Sequence, residues 1–459
     1  MAVEMVTDHG AVGDGSTLDT AAIQAAIDVC AAAGGGRVVL PAGREYLAGS
    51  FELRSHIELY VERGARLIAS LRREDYASPV FTEGQEKEKL VWIRAHEAED
   101  VALTGGGVID GRCHGFYQDG SLVRWRPAMT CFVACRRLRV HDITLTNAAN
   151  WTLHFSGCRD VVVHAVSIDN PLDFPNCDGI DPDHCRDVRI SDCAISCADD
   201  CIVLKNTRSY AAFGPTENVT VTNCTLVSTS CAIKIGSESV SDFRDCVFSN
   251  CVIKGSNRGI GLQLRDEADM EHLLFSDMII ETRLFPGRWW GVGEPIYVTA
   301  LPRDPQTRPG QIRDVRFRNI LARGENGIYL QGCPQSRPEN IEFIDVRVRI
   351  ARTTEHPAGL QDPRPCTMEA FAGCETVGDP TPWGQKIRGG NPGFHIAQAG
   401  RVVLRDCAVE WAGEPDPAFT HALSVSEVRR LERSGFRGQA AHDGLSAEVV
   451  DGAGGGQRR

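Results

Sequence analysis

Apolar and polar residues alternate along short segments that recur through the chain, and each segment ends at an Asn or Asp followed by further apolar residues. Alternation with a period of two is typical of a β-strand that buries one face. An Asn or Asp suits the bend after such a strand because both tolerate a left-handed backbone and bond to local backbone groups. Eight segments share this pattern, with bends at Asp142, Asp192, Asn223, Asn250, Asp277, Asn319, Asp345 and Asp406.

The spacing of these bends indicates a repeating coil. From Asp192 onward the steps are 31, 27 and 27 residues, and later steps of 42, 26 and 61 residues imply inserted loops. A short strand cannot bury its apolar face alone, so stacked strands that share one core are the physical solution. The strands are not separated by helices, which disfavours TIM barrels and doubly wound sheets. The sequence therefore predicts an all-β fold, a right-handed parallel β-helix.

We expect a single β-helix domain over residues 1–451. An amphipathic pattern that starts with capping residues predicts a helix within about residues 15–35, which would cover the open N-terminal end of the solenoid. Two stretches break the repeat, residues 283–310 and residues 352–398. Insertions of this kind often build the binding surface of a solenoid. Residues 452–459 are rich in glycine and are expected to form a flexible tail.

Composition narrows the choice of partners. The 459 residues include 49 Lys and Arg against 61 Asp and Glu, a net charge of −12. Such a chain repels nucleic acid and anionic membrane surfaces. No apolar run is long enough to span a membrane, and the first residues lack the basic and apolar regions of a secretory signal. We therefore expect a cytoplasmic protein that binds neither nucleic acid nor membrane, and the sequence leaves its oligomeric state undetermined.

The 18 cysteines are scattered, and many occupy positions that suit a small buried apolar residue. Reduced and mostly buried thiols are the expectation for such a pattern. Paired CxxC metal patterns, phosphate loops and nucleotide fingerprints do not occur in the sequence. We expect neither a cofactor nor a metal.

The apolar alternation also predicts which residues share a column on stacked coils. With the apolar residues facing inward, one column contains Asp178, Asp200, Cys231 and Arg258. Neighbouring strands lie about 4.8 Å apart, so Asp178 and Asp200 become neighbours, with Asp199 beside them. Crowding of three carboxyl groups raises the pKa of at least one of them, which is how a site keeps an acid protonated near neutrality.

Further polar residues occupy outward positions of the same strands. A face with cations, an amide and a phenol beside three aspartates suits the binding of hydroxyls or of a carboxylate. Trp289 and Trp290 either stack on a sugar ring or pack their loop against the solenoid, and the sequence leaves both open. The other candidate substrate-binding residues are Lys205, Cys231, Lys234, Arg258, Gln263, Arg265 and Tyr297.

Three segments carry a family resemblance. The opening His9-Gly-Ala-Val-Gly-Asp-Gly is similar to an N-terminal signature of pectin-active β-helices, and Asn176-Cys-Asp-Gly-Ile-Asp and Ala198-Asp-Asp-Cys are similar to NTDG and GDDC-type motifs. With these motifs the chain resembles glycoside hydrolase family 28, the polygalacturonase and rhamnogalacturonan hydrolase group. The resemblance implies an inverting hydrolase in which Asp199 is the general acid, Asp178 and Asp200 activate water, and Asn176 binds substrate.

Two motifs depart from the family pattern. Cys231 stands at the position of a family histidine, as in the rhamnogalacturonan hydrolases, and Gly261 and Gln263 stand at the positions of the Arg and Lys that hold a galacturonate carboxylate. These departures argue against an endo-polygalacturonase, unless another cation of this face takes over. We expect hydrolysis of an α-glycosidic bond in a pectin-derived oligosaccharide. The action would be exo, with inserted loops closing one end of the groove.

Two other functions stay open. A β-helix uronate lyase or epimerase needs a base and a cation that neutralises the uronate, commonly Ca²⁺. A non-catalytic carbohydrate-binding solenoid is the second alternative, and the presence of all three aspartates speaks against it. The carboxylates that would hold Ca²⁺ are Asp178, Asp181, Asp183, Asp199 and Asp200.

Overall fold

Parallel β-strands make up most of the computed structural model, which describes residues 2–77, 90–287 and 289–451. The chain divides into a first unit of Met1–Val203 and Ser209–Cys224 and a second unit of Leu204–Arg208 and Thr225–Arg459. Each unit is built from coils of a right-handed parallel β-helix, which confirms the predicted fold class. The expected single domain stays a prediction, and the predicted tail, residues 452–459, lies outside the described residues.

The coils of the first unit contribute to two parallel sheets, called sheet 1 and sheet 2 here. Sheet 1 contains Phe51–Glu52, Val91–His96, Ala128–Val133, Leu153–Ser156, Ile180–Asp183 and the start of Ile202–Asn206. Sheet 2 contains Ala2–Met5, Asp14–Leu18, Gly36–Leu40, Glu45–Ala48, Ile57–Val61, Arg66–Ala69, Glu99–Thr104, Val108–Asp110, Arg136–His141, Thr144–Thr146, Arg159–His164, Ser167–Asp169, Arg186–Ser191, Ala194–Cys197 and Thr216–Thr222. A separate antiparallel hairpin pairs Tyr117–Gln118 with Ser121–Leu122.

The predicted helix spans Thr20–Ala32 and buries one apolar face against the strands near the N-terminus. Its predicted capping differs, because the Asp19 carboxylate makes no cap bond to the helix. It accepts instead from the N–H groups of Val12 and Gly13 at 2.7 and 3.0 Å. Within the described ranges, no helix is long and apolar enough to cross a membrane. Short 3-10 turns occur at Val6–His9, Arg73–Asp75, Cys113–Phe116, Arg208–Phe213 and Met368–Phe371.

The predicted bends are confirmed in both units. All eight bend residues have a positive φ, between 49° and 59°, in the left-handed region that Asn and Asp tolerate. Bends on adjacent coils also bond to each other: the Asn223 amide donates to Asp192 at 2.5 Å, and the Asn319 amide donates to Asp277 at 2.7 Å. At these four positions the Asn or Asp serves both the backbone turn and a polar contact between adjacent coils.

The second unit repeats the two-sheet arrangement. Its sheet 1 contains Cys231–Ser239, Arg258–Leu264, Glu294–Ala300, Ile328–Gln331, Phe394–Ala397, Leu423–Ser426 and Glu448–Asp451. Its sheet 2 contains Thr225–Ser228, Phe243–Ser249, Val252–Ser256, Met270–Thr282, Ile312–Gly324, Glu339–Ile350, Arg401–Arg405, Ala408–Trp411 and Arg430–Ser434. The insert at residues 352–398 adds a small antiparallel sheet of Leu360–Gln361, Thr376–Thr381 and Gly384–Arg388.

Stacked side chains fill the cores. In the second unit, Phe248, Phe275, Phe317 and Phe343 form a continuous stack with ring centroids 4.8 to 5.1 Å apart. Aromatic rings at this spacing add to the burial energy of the coil repeat. All 18 cysteines are free thiols, and every one except Cys374 is buried, as the sequence predicts.

Candidate active site

Three aspartates of the first unit lie together at the starts of adjacent sheet 1 strands. Asp178 precedes Ile180–Asp183, and Asp199 and Asp200 precede Ile202–Asn206. All three side chains are buried, and each offers a carboxylate oxygen within 4.8 Å of those of the other two. The structure thus brings the predicted aspartates together, while their catalytic roles stay predictions.

Backbone contacts fix the spacing of the two coils that carry these aspartates. The N–H groups of Gly179 and Ile180 donate to the carbonyl oxygens of Asp200 and Cys201, each at 2.9 Å. A Cβ at position 179 would lie 2.4 Å from the Cys201 carbonyl oxygen. Glycine is therefore required at this position, because any side chain would push the two coils apart.

Arg126 is a cation of this site that the sequence analysis missed. Its guanidinium donates to the side-chain oxygen of Asn176 at 2.6 Å, and the Asn176 N–H donates to Asp199 Oδ2 at 3.2 Å. Burial lowers the pKa of Arg126, and the charges of Asp178 and Asp199 counteract that shift. Arg126 thus offsets part of the repulsion among the aspartates. It lies in a loop without strand alternation, so the sequence offered no signal for it.

The carboxylates predicted to hold Ca²⁺ do not form one cluster. Asp178, Asp199 and Asp200 form a group that would suit a cation with oxygen ligands, and Asp181 and Asp183 are not part of it. Asp183 contacts two histidines instead, with its carboxylate oxygens 3.3 Å from His154 Nε2 and 3.6 Å from His184 Nε2. The five-carboxylate Ca²⁺ site of the lyase alternative is therefore reduced to three aspartates.

His154 is a buried imidazole next to this carboxylate. Its Nδ1 lies 3.5 Å from Cys131 Sγ, and Trp151 packs edge-on against its ring. Burial disfavours the charged imidazole, but Cys131 and Asp183 outweigh it and raise the pKa of His154 to about 10. The ring is therefore an imidazolium at neutral pH, and it pairs with the Asp183 carboxylate.

In the second unit, the outward residues of sheet 1 follow the predicted register. Strand pairing places Cys231 next to Arg258 and Arg258 next to Glu294. One outward row contains Lys234, Gly261, Tyr297, Tyr329 and His395, and the next contains Gly236, Gln263, Thr299, Gln331 and Ala397. The predicted substrate-binding residues that lie on these paired strands thus share one face, while their role stays a prediction.

Both departures from the family motifs, at Cys231 and at Gly261 and Gln263, occur at tightly packed positions. A Cβ at Gly261 would lie 3.0 Å from Cys231 Sγ and 3.2 Å from Arg258 Cδ, so the space for a larger side chain is filled. The Cys231 thiol donates to the Ile233 carbonyl at 3.1 Å. Gln263 is 1% exposed, and its side-chain amide has no hydrogen-bond partner in the part of the chain that the structure describes.

The insert at residues 352–398 covers several residues that were predicted to contact substrate on an open face. Tyr297 Oη donates to the Asp362 carbonyl at 2.8 Å, and Arg265 donates to two backbone carbonyls of the insert at 2.5 and 2.9 Å. Arg258, Arg265 and Tyr297 are each 0% exposed. The expectation that these three side chains are open to a ligand is corrected, because the insert occupies the space over them.

The remaining predicted residues vary in exposure. Lys205 and Lys234 are buried, and Trp289 and Trp290 are half-buried. The guanidinium of Arg364, another residue that the sequence analysis missed, lies 4.9 Å from the Trp290 ring centroid and donates to the Trp289 carbonyl at 3.1 Å. The loop-packing interpretation of the two tryptophans thus has specific contacts, and a sugar-stacking role stays a prediction.

Comparison with known proteins relates this geometry to described families. A family model described as "Glycosyl hydrolases family 28" matches residues 74–364, and one described as "Rhamnogalacturonase A/epimerase, pectate lyase-like" matches residues 4–60. A "Probable polygalacturonase" of Vitis vinifera is 28% identical over 367 residues, which cover 75% of this chain and 74% of that protein.

Solved structures share the fold. The family 28 exopolygalacturonase of Yersinia enterocolitica matches with a TM-score of 0.69 and 18% identity, covering 94% of this chain and 78% of that one. The hyperthermoactive exopolygalacturonase of Thermotoga maritima matches with a TM-score of 0.63 and 24% identity, covering 76% of this chain and 88% of that one.

Proposed function

Because the chain belongs to glycosyl hydrolase family 28, we propose that it hydrolyses an α-glycosidic bond in a pectin-derived, galacturonosyl or rhamnogalacturonan-type oligosaccharide. The observation that carries the proposal is the group of three buried aspartates whose oxygens lie within 4.8 Å of one another. The names of the polygalacturonase relatives support the substrate class. The chain is a glycoside hydrolase, and the proposal concerns its substrate, stereochemistry and mode of action.

In the proposed reaction, Asp199 protonates the oxygen of the leaving sugar. Asp178 and Asp200 together take a proton from the attacking water, so that the hydroxyl forms a bond to the anomeric carbon as the glycosidic bond breaks. Arg126 carries no proton in this scheme. It holds Asn176, whose N–H donates to Asp199 and so orients the acid.

Inversion rests on the family resemblance and not on the distances. Inverting enzymes generally separate acid and base by about 6.5–9.5 Å to admit water, while retaining enzymes use about 5–5.5 Å. The closest oxygens of the three aspartates are nearer to one another than either range. That distance is measured between single oxygen atoms, whereas the ranges describe the separation of an acid and a base carboxyl group on opposite sides of the sugar. Proton NMR of the first product therefore decides the point: an inverted anomer supports the proposal, and a retained anomer contradicts it.

The insert of the second unit supports exo action. Its backbone binds Tyr297 and Arg265, so the outward face that a long chain would follow in this unit is covered. We expect that digestion of homogalacturonan or rhamnogalacturonan oligosaccharides releases short products from the first minutes. Chromatography of samples taken during the digestion measures this. Early accumulation of long oligomers would contradict the exo mode without contradicting hydrolysis.

One observation favours a second candidate. Three carboxylates in one group suit a cation, which a uronate lyase or epimerase would need. Loss of activity in EDTA, together with an ultraviolet-absorbing unsaturated product, would identify a lyase. Activity that persists in EDTA and yields saturated sugars supports the hydrolase.

A further inference from the structure

The second unit contains a cluster of buried charges with an excess of cations. Arg258, Arg364 and Lys386 lie close to the carboxylates of Glu294 and Asp362, which act on the charges of these cations. These five groups carry three positive charges and two negative ones, in a chain whose net charge is −12. Burying an unpaired charge is costly, so such a cluster favours the binding of an anion.

Both carboxylates of the cluster are already bound by protein groups. Asp362 receives two hydrogen bonds from the Arg364 guanidinium, at 2.6 and 2.8 Å, and one from the Gly291 N–H at 2.8 Å. Glu294 receives one from Arg258 at 2.8 Å and one from the Val292 N–H at 2.7 Å. Both carboxylates also act on the Lys386 charge, but two negative charges cannot neutralise three positive ones.

Arg258 has donors to spare. Its side chain is 0% exposed and lies 3.5 Å from the Tyr297 ring centroid. Its Nε and Nη1 have no hydrogen-bond partner among the described residues. An arginine has five N–H donors, and buried donors without acceptors lower stability. This second observation, independent of the charge count, means that protein acceptors among the described residues satisfy the buried Arg258 charge only in part.

Lys386 and Trp290 make the cluster reachable from solvent. Both are half-buried, so each keeps part of its side chain exposed. The Lys386 ammonium has three donors and bonds only to the Gly291 carbonyl, at 3.2 Å, within the described part of the chain. Burial lowers the pKa of Lys386, and a bound carboxylate would reverse that shift. Trp290 offers an aromatic face beside these cations.

We propose that Lys386, Arg364 and Trp290 form a site that binds a uronate sugar, with the carboxylate at the cations and the ring against Trp290. Arg258 adds its buried charge to the attraction. The inference that the site binds an anion stands on the charge cluster, whereas the choice of a uronate rests on the proposed function. The insert thus supplies cations in a unit whose Gly261 and Gln263 carry none.

Ligand-observed NMR titration of the full-length protein with galacturonate tests this site. Galactose, which lacks the carboxylate, and inorganic phosphate serve as the other probes. We expect galacturonate to bind at least about tenfold more tightly than galactose, since only galacturonate has a carboxylate that accepts charge-assisted hydrogen bonds from the cations. Lys386→Met, which keeps most of the side-chain stem, should weaken galacturonate binding about tenfold and leave galactose binding unchanged.

Lys254→Met is the matched control, because Lys254 is an exposed lysine of the same unit. Trp290→Leu should also weaken galacturonate binding, which keeps the test valid if Lys386→Met does not fold. Equal affinity for galacturonate and galactose, or an unchanged affinity in folded Lys386→Met, overturns the site. Displacement of galacturonate by equimolar phosphate overturns its assignment to a uronate. A monosaccharide has no glycosidic bond, so these outcomes are independent of whether the proposed hydrolysis is correct.

Discussion

Sheet 1 of the first unit and sheet 1 of the second unit have the same strand geometry but opposite charges on their outward side. The first unit gathers Asp178, Asp199 and Asp200, whereas the second gathers arginines and a lysine. The aspartates lie on the coils themselves, in short motifs. Two of the cations, Arg364 and Lys386, come from an insert that folds back onto its unit. A solenoid can thus keep its core repeat while coil motifs and inserts set its surface chemistry separately.

One histidine in each unit extends this comparison. Cys131 and Asp183 together raise the pKa of His154 to about 10 despite burial. In the second unit, burial lowers the pKa of His395 to about 4, and its ring stacks on Tyr329 with centroids 4.6 Å apart. One unit therefore holds a charged imidazole and the other a neutral one, so their stabilities respond to pH in opposite directions.

The largest expected effect is on the pH dependence of stability. Because its pKa is raised, His154 makes its full contribution to the free energy of unfolding below about pH 6.5 and loses it as the pH rises through about 10. The total contribution is on the order of 5 kcal/mol. A lowered pKa means that the His395 contribution is complete above about pH 6.5 and is lost as the pH falls through about 4. Thermal unfolding from pH 4 to pH 10 would measure both.

Each histidine provides the control for the other. In a plot of melting temperature against pH, His154→Gln should flatten the alkaline side relative to wild type, and His395→Gln should flatten the acid side. His272→Gln, an exposed variant, should change neither. If His154→Gln left the alkaline side unchanged, the ion pair with Asp183 would not be the cause of the pH dependence.

The next effect concerns the buried ion pair of the second unit. Arg258 and Glu294 are 0% and 2% exposed in their side chains and 2.8 Å apart. Glu294→Gln leaves the Arg258 charge buried without its partner, so the free energy of unfolding in urea should fall by about 3–5 kcal/mol. Glu281→Gln breaks an exposed ion pair with Arg323 and should change the free energy of unfolding by less than about 1 kcal/mol. Similar losses in both variants would contradict the importance of burial.

A smaller effect is expected in the first unit, on activity. Asp199→Asn removes the proposed acid but keeps its shape, and kcat/KM should fall at least about a hundredfold, equivalent to about 2.7 kcal/mol of activation free energy. The unfolding free energy should change little, because Asn can still accept the Asn176 N–H. Asp142→Asn, at an exposed bend with a φ of 53°, should keep full activity. Full activity in Asp199→Asn would remove it from the role of acid.

The coil repeat could be predicted from the sequence, because each strand buries alternate residues and each bend needs a residue that tolerates the left-handed backbone conformation. Sequence reasoning also reached the three aspartates because they lie within short motifs of adjacent coils. It did not reach Arg126 or Lys386, since each meets its cluster only through the folded path of a loop or insert. It also expected an open face at Arg258, because alternation distinguishes inward from outward residues but carries no information about a distant segment that covers the outward side.

The smallest expected effect concerns the left-handed bend, a feature that the two units share. Asp142 in the first unit and Asp345 in the second have φ values of 53° and 49°. A β-branched residue is strained in this region, so Asp142→Val and Asp345→Val should each lower the unfolding free energy by about 1–2 kcal/mol, and the glycine variants should lose less. Urea unfolding of the four variants measures this. A valine loss in only one unit would mean that the side-chain contacts of the aspartate decide the loss there, with His141 for Asp142 and with Arg347 for Asp345. Equal losses in both would mean that the repeat is held by the same turn throughout, whatever charge its outward face carries.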